Sequence, residues 1–284
     1  MNEAGHTAGV LYVVATPIGN LADMTPRACK VLTDVALIAC EDTRHSRPLL
    51  QHFGIATALA AYHEHNEREQ TPRLLARLGA GESIALITDA GTPLVSDPGY
   101  VLVREARAAG IRVVPVPGPS APICALSAAG LPSDRFLFLG FPPRSEAARR
   151  QWIGACAAEP GTLILFESGR RLAATLTDLA AVLGPRQAVV ARELTKRFET
   201  FLEGALPRLA EQVRADAEQQ LGECVILVAG DRRDDAGRDA AEAQRVLDIL
   251  AAELPLKQAV ALTARITGGN RNKLYRQALS AREP

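Results

Sequence analysis

Aromatic residues make up only 4% of this 284-residue chain, so its interior has to be assembled from Ala, Val, Leu and Ile rather than from large rings. Apolar runs are short, and none reaches the roughly eighteen residues that cross a bilayer as a helix. The N-terminus, MNEAGHTAG, lacks the basic start and apolar stretch of a secretory signal. A cytoplasmic protein with no membrane segment is expected. Close pairs of cysteine are missing too. Cys29, Cys40, Cys124, Cys156 and Cys224 are scattered, which argues against a zinc ribbon and a disulfide framework and favours reduced structural thiols. Net charge is also absent, with 32 basic against 32 acidic residues.

What is present is an ordinary globular composition, 48% apolar and 23% charged, in a length that suits one large domain or two smaller ones. The charge is unevenly distributed. Residues 256–284 carry six basic side chains (Lys257, Arg265, Arg271, Lys273, Arg276 and Arg282) against the single acid Glu283. A basic tail on an acidic body can steer a polyanion locally, and it can equally be a solvated helix face.

Continuous apolar runs at 10–15, 36–40, 58–62, 83–88 and 111–116 predict strands covered on both sides, alternating with helical stretches. Thr25-Pro26 has the form of a helix cap followed by a first-turn proline. Further runs at 136–139, 162–166, 188–192, 200–203 and 223–228 predict a second, mixed sheet, with a hairpin spanning 192–203. The fold class is therefore α/β. Its expected parts are an N-terminal domain (1–126), a second α/β domain (127–232) and a helical segment (240–284) in which TGGN joins two helices. Gly130-Leu131-Pro132 marks the first linker, and the polar run DRRDDAGRD the second.

Three Gly- and Pro-rich turns follow strands of the first half: ATPIGNL (15–21), DAGTPLVSDPG (89–99) and PGPSA (117–121). Loops at the carboxyl ends of parallel strands line the ligand crevice of such a sheet. Neither the G-x-G-x-x-G fingerprint nor the G-x-x-x-x-G-K-[ST] phosphate loop occurs, which disfavours a standard dinucleotide dehydrogenase or P-loop enzyme. The loop 89–99 offers two carboxylates (Asp89, Asp97), two hydroxyls (Thr92, Ser96) and two glycines (Gly91, Gly99), stiffened by Pro93 and Pro98. It suits a ligand with ribose hydroxyls, an ammonium and a positive sulfonium. The alternative for Asp97 is the N-cap of the following helix.

The runs VATPIGNLADMTPRA, ACEDTRHS, YHEHNE, ITDAGTPLVSDPGY, VPVPGPSA, LFESGRR and ARELTKRFET, in this order, resemble the ribosomal RNA small subunit methyltransferase I family. That family lies within the tetrapyrrole methylase superfamily of S-adenosylmethionine-dependent enzymes. LKQAVALTARITGGNRNKLYRQAL is similar to the family's C-terminal helix-turn-helix segment. The resemblance implies two α/β domains with the cofactor folded into the cleft between them, a homodimer, and methylation of a cytidine ribose 2′-hydroxyl in the decoding region of 16S RNA in the small ribosomal subunit. Cofactor contacts carry over to Asp89, Gly91, Thr92, Ser96, Asp97, Ser120 and Ala121, with Phe166, Ala191 and Val225 from the second domain covering the adenosine.

A ribose hydroxyl needs a base to take its proton. Glu41 and Asp42 in ACEDTRHS, and His63 and His65 in YHEHNE, are the candidates, with Glu64 between the histidines. Two histidines without further ligands do not make a metal site, and no metal is expected. Candidate substrate contacts are Asn20, Arg44, Lys196, Lys257, Arg271 and Lys273. Each has a bland alternative: a turn for Asn20, ion pairs for Arg44 and Lys196 (the latter with Glu193), a solvated helix for the tail. Arg144, Arg149 and Arg150 suggest either an RNA-touching flap or an exposed helix, and Trp152 is read as a packing residue. Rival functions are methylation of a tetrapyrrole or another small molecule, and non-catalytic RNA or nucleotide binding.

Overall fold

All ten apolar runs form strands, in two five-stranded sheets. The computed structural model describes residues 8–231 and 235–280. The first sheet contains β1 (Val10–Val14), β2 (Leu37–Cys40), β3 (Leu59–Ala61), β4 (Ile84–Leu86) and β5 (Arg112–Val116) in the order β3-β2-β4-β1-β5, with every pairing parallel. Side chains alternate between its faces as a two-residue period requires. Ile38, Cys40, Ala85 and Ile87 meet α1 (Pro26–Asp34) and α2 (Thr43–His52) on one side. Leu37, Ala39, Ile84 and Leu86 meet α3 (Glu67–Gly79) and α4 (Tyr100–Ala108) on the other. Both faces are dry, which is why the strands read as unbroken apolar runs. Thr25 caps α1, its hydroxyl accepting the amide of Ala28 at 3.1 Å.

After α5 (Ala121–Ala128) the chain enters the second sheet. Its strands are β6 (Phe136–Gly140), β7 (Thr162–Ser168), β8 (Gln187–Arg192), β9 (Thr200–Ala205) and β10 (Glu223–Val228), in the order β6-β7-β10-β8-β9. Only β6 and β7 run parallel, and β8–β9 is the expected antiparallel hairpin. One face packs on α6 (Glu146–Ala155), α7 (Gly169–Leu183) and α8 (Leu206–Ala215), burying Leu163, Leu165, Val190 and Ile226. The other buries Ile164, Val189, Ala191, Val225 and Leu227 against Ala125 and Leu126 of α5. So α5, which precedes the Gly130-Leu131-Pro132 turn, packs on the second sheet. Both sheets belong to one compact unit, Met1–Gly230, in which Ile18, from the loop after β1, packs with the α5-covered face of the second sheet.

The second unit, Asp231–Pro284, contains α9 (Asp235–Glu253), α10 (Leu256–Thr267) and α11 (Arg271–Ser280). Ala243, Leu247, Ala259, Val260 and Leu274 form its small core. Part of the expected second linker is helical, since α9 begins at Asp235; a single interior glycine costs a helix only about 1 kcal/mol. In the TGGN turn, Gly268 takes the left-handed conformation that ends α10, and Asn270 Oδ1 accepts the Asn272 amide at 3.0 Å as α11 begins. No helix among the described residues is long and apolar enough to cross a membrane.

Candidate active site

The loops at the carboxyl ends of the first sheet face the α5-covered side of the second, and a cavity of about 390 Å3 lies where they meet. Close approach there depends on Gly19. A side-chain carbon at that position would lie 2.5 Å from Lys196 Cγ and 3.0 Å from the Leu194 carbonyl. All ten residues expected to hold a cofactor line this one cavity: Asp89, Gly91, Thr92, Ser96 and Asp97 from the long loop, Ser120 and Ala121 from the turn into α5, and Phe166, Ala191 and Val225 from the second sheet. Register explains the last three. Val225 on β10 pairs with Phe166 on β7 and with Ala191 on β8, so they form one cross-strand row on one face.

The loop is held in shape from below. Thr16 and Gly91 exchange backbone hydrogen bonds of 2.9 and 3.1 Å, and the Thr92 hydroxyl donates to the Pro119 carbonyl at 2.9 Å. Leu94 and Ser96 both have positive φ, +73° and +69°. Across the cavity, Glu193 and Thr195 do the same at +50° and +65°. Non-glycine residues held this way cost of order 1–3 kcal/mol each and cluster at ligand clamps. The helix following the loop starts later than expected: its N-cap is Gly99, without a side-chain cap. Asp97 is therefore not the cap, and its carboxylate is left to the cavity.

Three acids gather here. Burial pushes Asp97 up to about 6; a hydrogen bond from Thr88 opposes that, and Glu41 and Asp89 add to it. Glu41 is also raised, first by burial and then by Asp89, with Thr88 opposing. Its Oε2 is 3.5 Å from the Thr88 hydroxyl. One hydroxyl proton cannot serve both carboxylates at once, so the pair competes for Thr88. Asp42 behaves differently. Its carboxylate caps α2, accepting the Arg44 amide at 2.8 Å, and takes Arg44 Nε and Nη2 at 3.1 and 2.7 Å. Those bonds hold it down at about 2, too weak a base to compete with its neighbours. Arg44 is the other half of that exposed pair.

His63 projects near Glu41, acting on its charge. Its Nδ1 is buried without a hydrogen-bond partner, while its amide donates to Asn66 Oδ1 at 2.8 Å. His65 lies 6.0 Å away, centroid to centroid, and is exposed. Asn20 caps a short 3-10 turn, Leu21–Asp23, through its Oδ1. Lys196 lines the cavity and bridges Glu193 (3.0 Å) and Glu223 (2.8 Å). Burial alone would lower its pKa, but these two carboxylates raise it. Lys257 and Arg271 are exposed in the second unit; Lys273 is in α11, and its side chain lies outside the described residues.

Several wall residues have no counterpart in the sequence reading. Glu167, buried beside Phe166, accepts the Ser168 amide and the Thr175 hydroxyl. Glu223 and Phe141 also line the cavity. Cys224 does too, but burial pushes its thiol up to about 12, so it is no nucleophile. The suggested basic flap is partly core. Arg149 is buried, its Nε donating to Asp178 at 2.7 Å, and Arg150 joins the same carboxylate. Arg149→Ala leaves Asp178 paired with Arg150 alone and one carboxylate oxygen without its partner, and urea unfolding should show a loss of about 1–3 kcal/mol. Trp152 packs against the second core as expected.

The tetrapyrrole (corrin/porphyrin) methylase family model matches residues 10–210, and the RsmI C-terminal HTH domain model matches residues 237–282. The chain is 59% identical over 275 residues to ribosomal RNA small subunit methyltransferase I of Pseudomonas aeruginosa, covering 96% of this chain and 98% of that one. It is 54% identical over 270 residues to the protein of the same name from Xylella fastidiosa, covering 95% and 98%. A crystal structure of diphthine synthase shares the fold at 16% identity, with a TM-score of 0.59 over 78% of this chain and 89% of that one. The chain thus belongs to the tetrapyrrole methylases and, among them, to the family of the ribosomal RNA small subunit methyltransferases I.

Proposed function

We propose that this protein transfers a methyl group from S-adenosylmethionine to the 2′-hydroxyl of a cytidine ribose in the decoding region of 16S RNA. It acts in the cytoplasm, as a homodimer, on the small ribosomal subunit. The observation that carries the proposal is the convergence of ten expected contact residues on one cavity, in a chain whose close relatives bear the name of that enzyme.

The donor fits what the cavity offers. Its volume lies in the range of small-molecule sites, about 300–1,000 Å3. Asp97 and Asp89 supply negative charge for an ammonium or sulfonium, and Thr92 and Ser96 supply hydroxyls. The row Phe166–Val225–Ala191 supplies a flat apolar wall for an adenine. When bound, the cofactor supplies an electrophilic methyl on a positive sulfur. The protein's part is alignment: a rigid loop and an apolar wall hold donor and acceptor in line, which is worth about 7–11 kcal/mol in oriented systems. Glu41, beside Asp89 and Asp97 but outside the cavity lining, receives the ribose proton. His63 stands next to it as a second acceptor.

RNA affinity comes in part from exposed Lys257, Arg265, Arg271 and Arg276 of the C-terminal unit. Deleting α10 and α11 would strand Ala243 and Leu247 of α9 without their core, so charge removal is the cleaner test. Changing these four to glutamine should weaken subunit binding and reduce its dependence on log salt by about 0.7–0.9 per lost phosphate contact. Filter binding at several salt concentrations reads this directly, and an unchanged slope would mean that these charges do not meet phosphate.

A further inference from the structure

Phe141 is 59% exposed and lines the cavity at the loop between β6 and α6. A single exposed ring is unremarkable in itself. What sets this one apart is how it is held. β6 carries a register shift between Phe138 and Gly140, and Gly140 has φ +68°, a turn that re-aims the chain as it leaves the sheet. Beyond the ring, Arg171 Nη2 donates to the carbonyls of Pro142 and Pro143 at 2.7 and 3.0 Å, and Arg149 Nη1 to that of Arg144 at 3.1 Å. Both arginines are anchored by buried carboxylates, Glu167 and Asp178. The loop is therefore fixed to helices on the far side of the sheet, and the ring stands out from it instead of folding into the core.

One edge of Phe141 leans on Phe166, 5.3 Å away at 56°, and Phe166 is in turn packed edge-on by Phe138 at 5.0 Å. Phe166 belongs to the cavity's inner row, so Phe141 continues that row outward to the rim. Gly140 lies against the loop 89–99, where a side-chain carbon would be 3.3 Å from Ser96 Oγ. Other exposed rings differ. Phe198 and Tyr100 each have an arginine close in sequence 5.5 Å from the ring centroid, and neither lines the cavity.

We propose that Phe141 is the stacking platform for the base of the acceptor nucleotide. This rests on the RNA reading given above. A ribose hydroxyl enters the cleft only if its nucleotide is turned out of its own stack, and an aromatic face at the entrance restores the lost contact. The exposed outer part of the ring is what a macromolecular acceptor reaches first, while the inner wall serves the donor. Every base has a π-face, so Phe141 contributes affinity and orientation but not the choice of cytidine.

The test is methyl transfer from S-adenosylmethionine to purified small ribosomal subunits lacking the modification, using wild type, Phe141→Leu, Phe141→Tyr and Phe141→Trp. Leucine keeps apolar bulk without a π-face. Loss of a base–aromatic stack predicts a fall of about 10- to 100-fold in kcat/KM for subunits with Phe141→Leu, and values within about threefold of wild type for the tyrosine and tryptophan variants. The S-adenosylmethionine Kd, read by calorimetry, stays within about twofold of wild type in all three, which also shows the cavity intact. Wild-type rates in Phe141→Leu overturn the inference alone. So does a cofactor Kd that weakens in step with activity, because the ring then covers the donor. No methylation of subunits by wild type overturns the functional reading, and this inference with it.

Discussion

Asp97→Asn weakens S-adenosylmethionine binding by about 10- to 100-fold, the loss of one charge-assisted contact, while the fold is at least as stable as wild type. The two effects share a cause. Asp97 sits among Asp89 and Glu41 in a partly dry site, and its pKa rises to about 6 from an ordinary value near 4. A carboxyl whose folded pKa lies above its unfolded one binds its proton more tightly when folded. Its contribution to stability is present below pH ~4 and is lost as pH rises to about 6. Asparagine removes that loss. A cationic ligand requires the ionised carboxylate, so wild-type affinity should climb up to tenfold per pH unit below about 6 and level off above it. The Asp97→Asn protein should show a flatter profile. Calorimetry from pH 5 to 8 checks both the size and the slope. An unchanged Kd removes Asp97 from the site, and capping cannot rescue a role for it, because Gly99 is the cap.

Glu41→Gln is the second large effect. It should lower kcat for methyl transfer by about 100- to 10,000-fold, the usual worth of a positioned base, with cofactor affinity little changed. Among the four candidates Glu41 is the best placed. Asp42 is occupied by Arg44 and held at about 2. His65 is exposed, and His63 has an orphaned ring nitrogen and acts on the charge of Glu41, whereas Asp89 and Asp97 couple to Glu41 itself. A base must be ionised to act, so kcat should rise with pH through the raised pKa of Glu41, and the glutamine variant should lose that limb. His63→Ala gives the comparison. Should it cost more than Glu41→Gln, the histidine is the base and Glu41 only tunes it. Single-turnover rates on small ribosomal subunits separate the two.

Strand positions were legible because a sheet covered on both faces leaves runs such as LIAC and CVILV without polar interruption. The site loop was legible for a related reason: glycines, prolines and carboxylates concentrate where strands end in a crevice. Other features depend on pairings that no local pattern carries. That Phe166, Val225 and Ala191 share a row follows from the register of three strands far apart in sequence; in sequence they were reachable only through the family's motifs. Glu167 looks like a solvent-facing residue at a strand end, yet Thr175 and the Ser168 amide bury it. Arg149 looks like one more charge on a basic helix, and only Asp178, 29 positions away, draws it inside. Asp97 before Pro98 has the form of a helix cap, but α4 starts only at Tyr100. The exposed Phe141 was missed because the run FLFLGF gives no sign of where its bulge falls.

One measurement bears most directly on the whole account: transfer of a radiolabelled methyl group from S-adenosylmethionine to purified small ribosomal subunits, with the product RNA digested to nucleosides. Label is expected on the ribose of a single cytidine of 16S RNA, abolished or strongly reduced in Asp97→Asn and Glu41→Gln. Absence of label in the RNA, or label on a base, a protein or an added tetrapyrrole, would contradict it.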